Sequence, residues 1–171
     1  MDEQQNEKEQ ASFEESLSDE QRKKMAGQIT ELGGQLHDEW RAPRKQEDGT
    51  FEPRIKTTKD QAWIEKNGTD QIDIANNSYE NLPEDWKGEN KASAEVAIPE
   101  IYKAISEGKE LDDQFIEETS DIIHQKWLER NGSWAPAEQN KPYAELSEEE
   151  KEKDRAIVRK AVETYKENAT N

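Results

Sequence analysis

The 171 residues carry 24 lysines and arginines against 41 aspartates and glutamates, a net charge of −17, with 30% hydrophobic residues, five tryptophans and no cysteine. That charge repels a phosphate backbone and so argues against nucleic-acid binding. The absence of cysteine excludes disulfides and thiolate chemistry, and no run of about 18 apolar residues exists to span a bilayer. So low an apolar content borders on the composition of disordered chains, but the tryptophans point to a modest core built on aromatics.

Residues 1–17 are almost wholly polar and acidic and are expected to form a flexible tail. The start, Met1-Asp2-Glu3-Gln4-Gln5, has no apolar signal core, and a cytoplasmic protein is expected. Ser18 has the chemistry of a helix cap, with Asp19 and Glu20 in the first turn. Met25, Ile29, Leu32, Leu36 and Trp40 then recur at alternating spacings of four and three, which predicts a helix with one apolar stripe. Pro43 should end it.

Residues 41–59 read as a loop. They hold Arg41, Arg44, Lys45, Arg54, Lys56 and Lys59 against Glu47, Asp48 and Glu52, six minus three, a local charge of +3 in an acidic chain. Thr57-Thr58 is expected to open a short helix through Trp63 and Ile64, stopped by Asn67-Gly68. Ile72-Asp73-Ile74 alternates as a short extended piece does. Pro83 suits the first turn of a helix through Trp86, Ala92 and Val96, which Pro99 should kink or end. Gly108 closes this part of the chain. A further helix carries Phe115, Ile116, Ile123 and Trp127 up to Asn131-Gly132, and Ser147 with Glu150 forms a capping box for the last one.

The chain also repeats itself. Leu36-His37-Asp38-Glu39-Trp40 is echoed by Ile123-His124-Gln125-Lys126-Trp127, and Gly49-Thr50-Phe51-Glu52-Pro53 by Gly132-Ser133-Trp134-Ala135-Pro136. A third piece, Ser78-Tyr79-Glu80-Asn81-Leu82, is echoed by Pro142-Tyr143-Ala144-Glu145-Leu146. Three matched pieces in one order argue for an internal duplication, near 18–108 and 109–168. Between its tryptophan and its tyrosine the first copy is the longer, and the extra length covers the basic loop and the Trp63 helix.

The order His-x-x-Trp, Gly-x-aromatic-x-Pro, Pro-Tyr-x-x-Leu-Ser-x-x-Glu-Lys resembles the ryanodine-receptor repeat, or RyR domain, and covers roughly residues 27–167. The second copy carries the likeness best, through His124, Trp127, Gly132 to Pro136, Pro142 to Lys151 and the pair Asp154-Arg155. The resemblance implies a mainly α fold of two tandem helical repeats with pseudo-twofold symmetry. It further implies a module of the kind found in small bacterial and phage proteins, some proposed to sense nucleotide-derived signals.

No zinc-type spacing, phosphate-binding glycine loop or Gly-x-Ser-x-Gly elbow is present, and the carboxylates are scattered, so no catalytic residue, metal or cofactor is expected. The two histidines read first as structural, each beside its tryptophan and bonded to a loop backbone. The functional expectation is a non-enzymatic sensor or sequestering module for a nucleotide-like anion. Arg41, Arg44 and Arg54 would supply charge, and Trp40 or Phe51 a stacking face. His37, Trp127, Trp134 and Tyr143 complete the candidate site. The alternative is a protein-interaction module presenting Trp63, Trp86 and the loops. Trp40 and Trp127 are expected to be largely buried.

Overall fold

The computed structural model describes residues 3–169. These residues are mainly helical. The helices are α1 Glu3–Glu15, α2 Asp19–Arg41, α3 Gln61–Asn67, α4 Glu84–Ser106, α5 Asp113–Asn131 and α6 Glu148–Ala169. Two short strands, β1 Ile55–Thr57 and β2 Gln71–Asp73, pair antiparallel with Ile55 opposite Asp73 and Thr57 opposite Gln71.

Local chemistry accounts for most of the boundaries. Ser18 and Gln21 close a reciprocal box at the start of α2, with the Gln21 N–H donating to Ser18 Oγ and the Ser18 N–H to Gln21 Oε1. Asp60 caps α3 by accepting from the Trp63 N–H at 3.2 Å, and its other oxygen accepts the Glu84 N–H at 2.9 Å where α4 begins. Backbone donors from Glu84 and Trp63 hold this carboxyl below its ordinary pKa. Gly68 ends α3 at φ 71°, a left-handed position that glycine adopts without strain.

The chain divides into two compact units. One comprises Met1–Ile29 and Ser93–Asn171, the other Thr30–Ala92. The division differs from the 18–108 and 109–168 expected from the repeats, because the start of α2 and the end of α4 pack with the second copy's helices. In that unit the Tyr102 hydroxyl donates to Gln28 Oε1 at 2.8 Å and its ring meets Tyr165 edge-on at 5.3 Å. Its buried apolar side chains include Met25, Ile98, Ile101, Phe115, Ile123, Val158 and Ala161. The smaller unit gathers Ile72, Ile74, Tyr79 and Leu82 under the partly buried Trp40, Trp63 and Trp86.

Several expectations need correction. Residues 3–15, expected as part of a flexible tail, form a helix; Lys103 pairs with Glu9 at 3.3 Å and Lys126 with Glu7, Arg22 donates to the Glu14 and Glu15 carbonyls, and Phe13 is partly buried, so no apolar period announces it. Thr57 lies in β1, and α3 starts only after Asp60. Residues 41–59 are not all loop, since β1 lies among them and Lys45 bridges Phe51. Pro99 neither ends nor breaks α4, and Glu95, whose carbonyl proline leaves without a helical donor, is exposed. Trp40 and Trp127 keep only a minor part of their surface exposed, in keeping with the expectation.

Candidate functional site

The first His-x-x-Trp motif lies in the last turns of α2. One helical turn places His37 and Trp40 on one face, their rings stacked at 5.8 Å with planes 15° apart. His37 is buried, and its Nε2 lies 2.8 Å from the Asn77 carbonyl oxygen. A carbonyl only accepts, so Nε2 carries the proton. Its Nδ1 is buried with no hydrogen-bond partner.

Pro43 sits in the 3₁₀ turn Ala42–Arg44 that follows, and this turn folds Arg44 back on the helix end. The Arg44 guanidinium lies 4.0 Å from the centre of the Trp40 ring and donates to the Trp40 carbonyl at 2.6 Å. A cation on the last carbonyls of a helix is favoured by the helix dipole. Arg41 lies 4.3 Å above Phe51, with Nε donating to the Ala75 carbonyl at 2.8 Å and Nη1 paired with Asp38 at 3.6 Å. Phe51 is held by Asn76, which accepts its N–H and donates to its carbonyl, both at 2.9 Å.

The turn over residues 73–77 organises these contacts. Asp73 Oδ1 accepts the N–H of Arg54, Ala75 and Asn76. Burial pushes the Asp73 carboxyl up, but those N–H donors and the Asn76 amide outweigh it and hold the pKa below the ordinary value. Sequence reasoning missed Asp73, Asn76 and Asn77, although Asp-x-x-Asn-Asn is turn chemistry.

So His37, Trp40, Arg41, Arg44 and Phe51 come together in the smaller unit. The Arg54 guanidinium does not join them; it turns to Glu52 at 3.5 Å and to the Pro53 carbonyl at 3.2 Å. Trp127, Trp134 and Tyr143 belong to the other unit, where Trp127 and Trp134 form a second cluster with His124. His124 and Trp127 stack at 5.9 Å and 13°, and His124 Nε2 lies 2.7 Å from the Lys141 carbonyl oxygen. Trp134 meets Trp127 edge-on at 6.0 Å and is 65% exposed.

The repeated motif therefore has one local geometry in both copies. In each, the histidine donates to the residue two before the tyrosine. Each tyrosine then opens a 3₁₀ turn, Tyr79–Asn81 or Tyr143–Glu145, that ends on a buried leucine. What surrounds the motif differs. At the position of Arg44 the second copy has Asn131, whose amide donates to the Trp127 carbonyl at 3.0 Å, so the cation on the tryptophan is absent there. Arg155 instead grips Glu117 through two donors at 2.8 and 2.6 Å, and the Tyr143 hydroxyl donates to the same carboxylate at 2.7 Å. The Arg155 hydrogen bonds hold Glu117 down at about 2, and burial with the Glu117 contact pushes Tyr143 up to about 12. Among the described residues no group of three or more His, Asp or Glu is placed to hold a metal ion.

No family model matches the chain, and neither does a curated protein or a solved structure.

Proposed function

We propose that this chain is a non-enzymatic binding module whose smaller unit takes a planar anion of nucleotide-like chemistry at His37, Trp40, Arg41, Arg44 and Phe51. The observation that carries the reading is the pair of guanidinium groups stacked on Trp40 and Phe51 at 4.0 and 4.3 Å, in a chain of net charge −17. A guanidinium stacked on an aromatic ring is fixed in orientation, and the donors not engaged with the backbone suit a phosphate or carboxylate edge. A base would stack on the guanidinium planes that cover these rings. The likeness of the motif order to the RyR repeat, with its proposed nucleotide-sensing members, supports the same class of ligand.

A protein partner is the second reading, and Trp134 favours it. This side chain is 65% exposed, whereas Trp63 and Trp86 cover the core of the smaller unit and offer less surface. A thermal-shift panel of nucleotides and cyclic dinucleotides separates the two. A ligand that binds only the folded state raises the melting temperature by mass action. A shift with any member supports the first reading, and none across the panel leaves the protein partner as the better one.

A further inference from the structure

The two copies share a motif but differ in what covers its aromatic rings. In the first, Trp40 and Phe51 each carry one of the chain's own guanidinium groups, Arg44 at 4.0 Å and Arg41 at 4.3 Å. The matching rings of the second copy are Trp127 and Trp134, and the residues matching Arg44 and Arg41 are Asn131 and Leu128. Among the described residues no cation lies over either ring, although Lys126, Arg130 and Lys141 are near in sequence.

We infer, resting on the reading of Trp134 as a contact for a protein partner, that Trp127 and Trp134 form a docking corner for an arginine side chain on a basic segment of that partner. The two rings meet edge-on with planes 66° apart, which makes an open corner and not a closed stack. Trp134 keeps 65% of its surface exposed. Its backbone is nonetheless fixed: the Trp134 and Ala135 N–H groups donate to the Asn131 carbonyl at 3.1 and 2.9 Å. The Asn140 amide donates to the Gly132 carbonyl at 2.9 Å and closes the same turn. An exposed indole on a fixed turn loses little freedom when a partner binds.

Charge selects the occupant. The unit that holds the corner comprises Met1–Ile29 and Ser93–Asn171 and carries 27 aspartates and glutamates against 15 lysines and arginines, 27 minus 15, a net −12. Such a surface draws a basic segment and repels an acidic one. An indole face attracts a cation, and a planar guanidinium stacks on it where a compact ammonium group does not. The first copy shows that guanidinium groups fit the rings of this motif. The second copy has the rings, lacks the arginines and lies in the more acidic unit, so its guanidinium comes from outside.

Nitrogen-15 correlation spectra follow the five indole N–H groups of the full chain separately. The probes are a short glycine-rich peptide with two arginines and its lysine and citrulline counterparts, titrated at about 0.15 M salt to screen long-range attraction. The arginine peptide should shift the Trp127 and Trp134 signals saturably and leave that of Trp40 in place. The lysine peptide should bind less tightly, and citrulline, the uncharged isostere, should not bind. Trp134→Ala changes no charge and removes an exposed side chain. It should melt within a few degrees of the parent and bind the arginine peptide at least about threefold more weakly. Parent affinity in Trp134→Ala, no saturable shift with arginine, or shifts that bypass both indoles would overturn the inference. Equal binding of the citrulline peptide at Trp134 would also overturn it, while leaving a protein partner in place. The parent titrations decide it should the variant fail to fold.

Discussion

Arg44 lies over Trp40 at 4.0 Å while donating to the Trp40 carbonyl, so one side chain both closes helix α2 and coats its last aromatic ring. Asn131 keeps only the first of these roles at Trp127. The repeat thus preserves the structural contact and varies the charge placed on the tryptophan. Arg44→Asn should accordingly leave the melting temperature within a few degrees of the parent while removing the cation from the ring. Loss of cooperative unfolding would show that the stacking, and not the carbonyl contact, holds the helix end.

Trp40→Ala should destabilise the chain by about 3 kcal/mol, the low end for deleting a large aromatic, because a minor part of its surface stays exposed. Chemical denaturation measures this, and a variant that unfolds with the parent would remove Trp40 from the core of the smaller unit.

Two glycines of α2 should respond to alanine in opposite directions. At Gly27 an added Cβ meets nothing within 4 Å, so Gly27→Ala gains helix propensity of about 0.5–1 kcal/mol. At Gly33 it would lie 3.0 Å from Lys91 Cβ and 3.3 Å from the Tyr79 hydroxyl, and the overpacking should cost about 1–3 kcal/mol. Thermal melts of the two variants, shifted up and down respectively, check the packing of α2. Equal shifts would contradict it.

Helix α1 should prove weakly held. Its described side chains include none that is fully buried, and its ion pairs run from Lys103 and Lys126 to Glu9 and Glu7. Surface pairs contribute about 0–1 kcal/mol each and are screened by salt, and the Lys103 pair, its lysine largely covered, is the less screened of the two. Removing residues 1–15 should lower the melting temperature by a few degrees in low salt and by less at 0.5 M. A large loss independent of salt would mean that Phe13 is the main contact.

Stability against pH should carry two opposite signs. The Asp73 and Glu117 carboxyls are held low in the folded chain, so their stabilisation is present above the unfolded values and is lost as pH falls toward 2. The Asp154 carboxyl is raised to about 7, so its contribution is full below about 4 and is lost as pH rises to 7. Denaturation midpoints from pH 3 to 8 in the parent and Asp154→Asn should converge at low pH and separate toward neutrality. Parallel curves would remove the Asp154 contribution.

Much of the helical framework was legible because it rests on periodicity and caps. The Met25 to Trp40 stripe, the Ser18 and Ser147 caps and the Gly68 stop are local signals. Helix α1 was not legible because ion pairs and a single partly buried phenylalanine, Phe13, stand where an apolar stripe would have announced it. Pro99 does not end α4, since a proline ring is tolerated where the carbonyl it leaves behind belongs to an exposed residue. At the candidate site, the arginines and aromatics stood out by charge and by repetition. The turn that gathers them did not, since Asp73, Asn76 and Asn77 act through backbone groups that no side-chain pattern reveals. Arg54 shares the sequence neighbourhood of Arg41 and Arg44, but Asp73 Oδ1 and the Ile74 N–H fix its backbone and a nearby glutamate takes its side chain.

Calorimetric titration of nucleotides and cyclic dinucleotides into the parent, Arg44→Ala and Arg54→Ala tests the binding site most directly. Desolvated charge-assisted contacts contribute about 1.5–3 kcal/mol, so Arg44→Ala should weaken binding by about tenfold or more. Arg54→Ala, which removes a guanidinium already paired with Glu52, should change it by less than about threefold. Equal affinity in the parent and Arg44→Ala, with unaltered melting, or heat from no member of the panel, would contradict the site.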